Sequence, residues 1–187
     1  MRKRRIFIGI NIPTKTKKIL KDLQSKIAKK PIRLVNLENL HITLNFLGPR
    51  KDREVIEVRH ALERIVPSFP SFPVWLDNLR FFPSQSRANV ISVIIKSDGK
   101  LEKLQKAIQK ELSQFEFIKL EKREFKPHIT IARIRNKGIK TIDLERIKNI
   151  KIERGEWQIK NVELIQSVLR RGGSKYTILK EYELQNV

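Results

Sequence analysis

The chain has 187 residues and a net charge of +21, with 41 Lys+Arg against 20 Asp+Glu, so its surface favours polyanionic partners, nucleic acid first. Hydrophobic residues make up 40% and charged residues 33%, which excludes a disordered chain and leaves enough apolar material for a core. There is no cysteine, which excludes disulfides, thiol catalysis and cysteine-ligated zinc, and fits a reducing interior.

The opening "MRKRRIFIGINIP" is basic and then apolar, but "IFIGI" is too short for the core of a signal peptide. No stretch is long enough to span a membrane, so a cytoplasmic protein is expected. "RRIFIGINI" (4–12) is a β-branched run ended by Pro13 and reads as a strand. A helix follows, with Ile19, Leu20, Leu23 and Ile27 at helical spacing and Thr14 or Thr16 as the N-cap. "IRLV" (32–35) is a short strand, and "LHITLNFLG" (40–48) is the next, closed by Gly48-Pro49. Residues 51–66 form a second helix through Val55, Val58, Leu62 and Ile65.

The proline-rich "PSFPSFP" (67–73) is the expected connector between lobes. Strands are expected over 74–82 and 88–96, then a helix over 100–112 along Leu101, Leu104, Ile108 and Leu112. "HITIARIR" (128–135) is a further strand, and 156–170 with 176–184 form a hairpin about "RGGS". The order strand, helix, "HIT" strand occurs twice, over 4–48 and 88–135. The whole chain, 1–187, therefore reads as a single bilobal domain with a C-terminal hairpin over 156–184. The fold class is α+β. It has two pseudo-symmetric lobes, each an antiparallel sheet with helices on its outer face, and an active-site cleft between the sheets.

Two of the three histidines lie in the repeated "HIT". Alternation on a strand puts His41 and Thr43 on one face and Ile42 and Leu44 on the other, and likewise His128 and Thr130 against Ile129 and Ile131. Two such strands side by side line a cleft with two imidazoles and two hydroxyls. Imidazoles titrate near neutrality, so one can take a proton while the other gives one. In-line displacement at phosphorus needs a base and an acid on opposite sides, and hydroxyls that donate to phosphoryl oxygens. This chemistry calls for no metal and no cofactor. A lone His-x-Thr is worth little as a motif; the pair on two similar units carries the argument. His60, on the second helix, has no such partner and reads as surface or packing. Strict alternation puts Arg133 and Arg135 on the face opposite His128.

"LENLHITLNFLG" and "FKPHITIAR" resemble the paired motifs of the two-histidine phosphoesterases. The closer match is their RNA 2′,3′-cyclic phosphodiesterase branch, also called 2′–5′ RNA ligase. "RIFIGINIP", the segment Arg87 to Ile95 and "SVLRRGGSKYTIL" extend the likeness over nearly the whole chain. The resemblance implies hydrolysis of a 2′,3′-cyclic phosphate to a 2′-phosphate, with a reversible 2′–5′ joining activity. It implies His41 as general acid, His128 as general base, and Thr43 and Thr130 as phosphate-binding residues. Arg87, Arg133 and Phe46 are the expected RNA contacts. Ser92 stands where relatives often carry tryptophan, which leaves Phe46 or Phe7 for base stacking. The implied partner is RNA with a 2′,3′-cyclic phosphate end, tRNA halves included, acted on by a monomer. The alternative from a different class is an RNA-binding module with little catalysis.

Overall fold

The computed structural model describes residues 3–134, 142–171 and 173–186. Strand β1 (Lys3–Asn11) runs into Pro13, where helix α1 (Thr14–Ile27) begins. Neither expected threonine caps α1: Pro13 holds the N-cap position with no side-chain bond, and Thr16 is buried against the sheet. Strand β2 (Ile32–Leu34) and a 3₁₀ turn (Leu37–Asn39) lead into β3 (His41–Lys51). β3 continues past the expected stop at Gly48-Pro49, because Gly48 adopts a φ of 74° and the strand bends without ending. Then come α2 (Asp52–Ile65), β4 (Phe72–Phe82), β5 (Val90–Lys96), α3 (Lys100–Leu112) and β6 (His128–Ile134). A short helix α4 (Leu144–Lys148), which the sequence pattern does not announce, precedes β7 (Glu156–Ile159), β8 (Asn161–Arg170) and β9 (Gly173–Glu183). Arg135 lies outside the described residues.

The strands form one antiparallel sheet in the order β7-β4-β5-β6-β3-β1-β8-β9, with β2 added against β6. Its two four-stranded halves meet where β3 pairs β6 at a single position, Ile42 opposite Ile129. The expected strand over 156–170 is divided after Ile159. Its first part pairs β4 at the far edge of one half, and its second pairs β1 and β9 in the other.

The halves are built alike. β1 lies beside β3 as β5 lies beside β6, with α1 and α3 as the crossover helices. Their apolar stripes, Leu20, Leu23 and Ile27 on α1 and Leu101, Leu104, Ile108 and Leu112 on α3, join one core with Ile42, Leu44, Ile129 and Ile131. The helices therefore cover the sheet face opposite the histidines. Gln24, buried on α1, donates one Nε2–H to the Val35 carbonyl (2.7 Å) and the other to the Ile131 carbonyl (2.8 Å), which ties β2 and β6 to the helix.

Candidate active site

β3 and β6 carry the same burial sequence from their histidines onward: half-buried, buried, half-buried, buried, buried, exposed, buried over 41–47 and over 128–134. The two consecutive buried residues mark a bulge. In the β1–β3 ladder Gly9 faces Thr43 and Ile8 faces Asn45, so Leu44 is the extra residue. In the β5–β6 ladder Ser92 faces Thr130 and Ile91 faces Ala132, so Ile131 is the extra residue. One inserted residue resets the alternation by one. Phe46 and Arg133 therefore return to the same face as the histidines, and both line the cleft. This corrects the expectation for Arg133, which strict alternation put on the opposite face.

The cleft has a volume of about 390 Å³ and is lined by His41, Thr43, His128 and Thr130, with Phe46, Arg33 and Arg133 around them. β2, the hairpin residues Leu169, Gly173 and Ser174, and Tyr176 of β9 complete the wall. Arg87 is exposed on the turn between β4 and β5 and does not line the cleft. His60 is exposed on α2, away from it.

Because β3 and β6 run antiparallel about Ile42–Ile129, His41 is set toward Thr130 and Thr43 toward His128. Each ring is held in the same way. The Nδ1–H of His41 donates to the Asn39 carbonyl (2.7 Å), and that of His128 to the Lys126 carbonyl (2.7 Å). A carbonyl only accepts, so Nδ1 keeps its proton in both rings and Nε2 is left free to take or give one. Each ring also packs on a phenylalanine: Phe7 at 4.9 Å from His41, and Phe82 at 5.0 Å from His128. Tyr176 meets His41 edge-on at 5.2 Å. The Asn39 side chain donates to the Ser174 carbonyl (2.8 Å) and so fixes the hairpin end beside the cleft.

The two sites differ in burial. Burial lowers the His41 pKa below its usual 6.5, the Asn39 carbonyl opposes this, and the charge on His128 lowers it further. The partner of Thr130 is Ser92, wholly buried, with its hydroxyl 3.4 Å away. At the matching position Gly9 faces Thr43, and a Cβ there would stand 3.0 Å from the Ile42 carbonyl and 3.2 Å from the Phe7 ring. Phe82 and Arg33 carry no motif of their own in the sequence, and Ser92 and Tyr176 lie in segments that share the family likeness without a residue pattern that assigns them to the site. Strand pairing sets Ser92 against Thr130 and Phe82 against His128, and puts Arg33 and Tyr176 on the cleft wall.

An α+β sheet of two like halves with helices on one face is the fold of a known group of solved structures. A protein from Thermus thermophilus superposes with a TM-score of 0.82 at 23% identity, over 97% of this chain and 98% of that one. E. coli LigT in its apo form gives a TM-score of 0.76 at 22% identity, over 99% of both chains. The family profile described as the 2′-5′ RNA ligase superfamily matches residues 12–170. A Methanocaldococcus jannaschii relative, an RNA 2′,3′-cyclic phosphodiesterase, is 31% identical over 95% of this chain and 99% of its own. An Aquifex aeolicus protein of the same name is 30% identical over 96% and 97%. The chain belongs to the 2′-5′ RNA ligase superfamily and is an enzyme of that family.

Proposed function

We propose that this chain is an RNA 2′,3′-cyclic phosphodiesterase that needs no metal, with His128 as general base and His41 as general acid. Water attacks phosphorus while His128 Nε2 takes its proton. The P–O3′ bond breaks, and His41 Nε2 gives its proton to the departing O3′, leaving a 2′-phosphate. Thr43 and Thr130 donate to the non-bridging oxygens, and Arg33 and Arg133 offset their charge. With the 5′-hydroxyl of a second RNA in place of water, the same step forms a 2′–5′ linkage.

The observation that carries this reading is the pair of imidazoles across one cleft, each fixed through Nδ1 so that Nε2 is left for proton transfer. Two imidazoles that can take and give a proton, with hydroxyls and guanidinium groups to hold phosphate, supply what the step requires without a Lewis acid. The name of the curated relatives points to the same substrate. The division of roles rests on access. His128 lies at the more open side, where water arrives, and His41 lies deeper, against Phe7 and Tyr176. The bound phosphate's negative charge raises the lowered His41 pKa and so loads it as an acid.

The test is release of 2′-phosphate from a nucleoside 2′,3′-cyclic phosphate in EDTA. Each of His41→Ala and His128→Ala is expected to cost roughly 10²–10⁴-fold in kcat. Turnover that needs added metal, or that survives both substitutions together, rejects the reading. An aryl phosphodiester separates the two roles, because its leaving group needs no proton. On that substrate His41→Ala is expected to recover most of the lost rate and His128→Ala is not; the reverse pattern exchanges the assignments.

A further inference from the structure

The sheet face that carries His41 and Thr43 does not end at the cleft. β1 alternates without a break, because the extra residues in the β1–β3 ladder belong to β3. Lys3, Arg5, Phe7, Gly9 and Asn11 therefore share one face. Their ladder partners extend it: His41 opposite Asn11, Thr43 opposite Gly9, Phe46 opposite Phe7, Lys51 opposite Lys3. The row runs from imidazole and hydroxyl, over two aromatic rings, to three cations. At roughly 3.4 Å per residue, it spans about 20 Å from Thr43 to the Lys3–Lys51 pair.

Two features of the row are unexplained by folding. Phe46 is 75% exposed although its ring lies 6.1 Å from that of Phe7, so an aromatic face is left open at the rim of the cleft. Lys3, Arg5 and Lys51 form no ion pair among the described residues, whereas Arg4, on the other face of β1, is bound to Asp52 at 2.7 Å. Helices cover the opposite side of the sheet; on this side Phe7 is buried among His41, Phe46 and Tyr176, while Phe46, Arg5 and Lys3 are exposed.

We propose that this row is the track for a single-stranded RNA leading away, in the 5′ direction, from the reacting nucleotide. An unpaired base stacks on Phe46, and the following phosphates meet Arg5, Lys3 and Lys51. The proposal rests on the reading of the cleft as a 2′,3′-cyclic phosphate site. Such a phosphate sits on the last nucleotide, so the polymer leaves only from its 5′ side. Aromatic stacking followed by cations along a groove is how single strands are held without sequence choice. A paired base has no free face for Phe46, so a blunt duplex end is a poor substrate.

The experiment compares the wild type with Lys3→Gln, Arg5→Gln and Lys51→Gln combined. A control carries Lys103→Gln, Lys106→Gln and Lys110→Gln on α3, which removes the same charge elsewhere. One readout is binding of a labelled single-stranded RNA of about ten nucleotides across a salt series. Each lost phosphate contact on a single strand lowers the log–log salt slope by about 0.7, so the track variant is expected to lose about 2 and the control much less. The other readout is kcat/KM for the same RNA ending in a cyclic phosphate, divided by that for a nucleoside 2′,3′-cyclic phosphate. The track variant is expected to lower this ratio about tenfold or more, through the oligonucleotide alone. A track variant that matches the control in salt slope overturns the proposal, as does a wild type that takes a blunt duplex end as readily as a single strand. The binding readout needs no turnover, so an inactive wild type would reject the hydrolase reading and leave the track to be judged by its salt slope.

Discussion

At the scale of single residues, His41 is the side chain whose chemistry is most altered by the fold. Burial disfavours its charged form, and the neighbouring charge on His128 adds to this, against the opposing Asn39 carbonyl. In the unfolded chain the same group titrates near 6.5. Between the lowered folded value and 6.5 the unfolded state therefore binds more protons than the folded state. The folded state loses stability as pH drops through that window and keeps it in full above. His41→Gln keeps an amide that can still donate to the Asn39 carbonyl and removes the titration. The variant is expected to narrow the stability loss between pH 7.5 and 5.5, measured by urea unfolding at both values. An identical loss in wild type and variant would place the pH dependence elsewhere.

At the scale of elements, the bulges after Thr43 and Thr130 decide what the cleft contains. Each HIT strand would otherwise send Phe46 or Arg133 to the helix-covered face. Gln24 holds one of these bulges, because the Ile131 carbonyl at the inserted residue takes its Nε2–H. Gln24→Leu leaves the Val35 carbonyl without its donor and the Ile131 carbonyl with the Val35 N–H alone, and a buried polar group left unpaired costs about 1–3 kcal/mol. A stability loss of that size is expected in denaturant, with KM raised more than a uniform loosening would produce, because β2 and Arg33 lie on the wall Gln24 fixes. Most of the elements were legible in the sequence, for a physical reason: helical stripes such as Leu101, Leu104, Ile108 and Leu112 and the alternation of His41-Ile42-Thr43 encode burial directly. The bulges were not, because "TLNF" and "TIAR" are compatible with regular alternation, and only pairing against β1 and β5 reveals the added residue. For the same reason strict alternation puts Arg133 on the wrong face. Ser92, buried against Thr130, has no local pattern to announce it.

At the scale of the whole molecule, the cleft lies on an approximate twofold axis through Ile42–Ile129. Each half contributes one imidazole and one hydroxyl, and the backbone joins β3 to β6 at that one pair. The shared core of α1, α3 and the sheet holds the halves from behind, on the face away from the cleft. A phosphate bridging the two HIT strands would add a link on the open face, and one present only in the folded state. Binding to the folded state alone stabilises it by RT ln(1 + [L]/Kd), about 2.7 kcal/mol at a hundredfold excess over Kd. For a chain of this length that corresponds to a rise in Tm of about 5–10 °C. A nucleoside 2′-phosphate is therefore expected to raise Tm by that amount in the wild type when present at a hundred times its measured Kd. At the same fixed concentration the rise should shrink in His41→Ala and in His128→Ala and be smallest in the double variant, which keeps only the threonine hydroxyls and the guanidinium groups as phosphate contacts. A full shift in the double variant would mean that the two imidazoles do not share a phosphate.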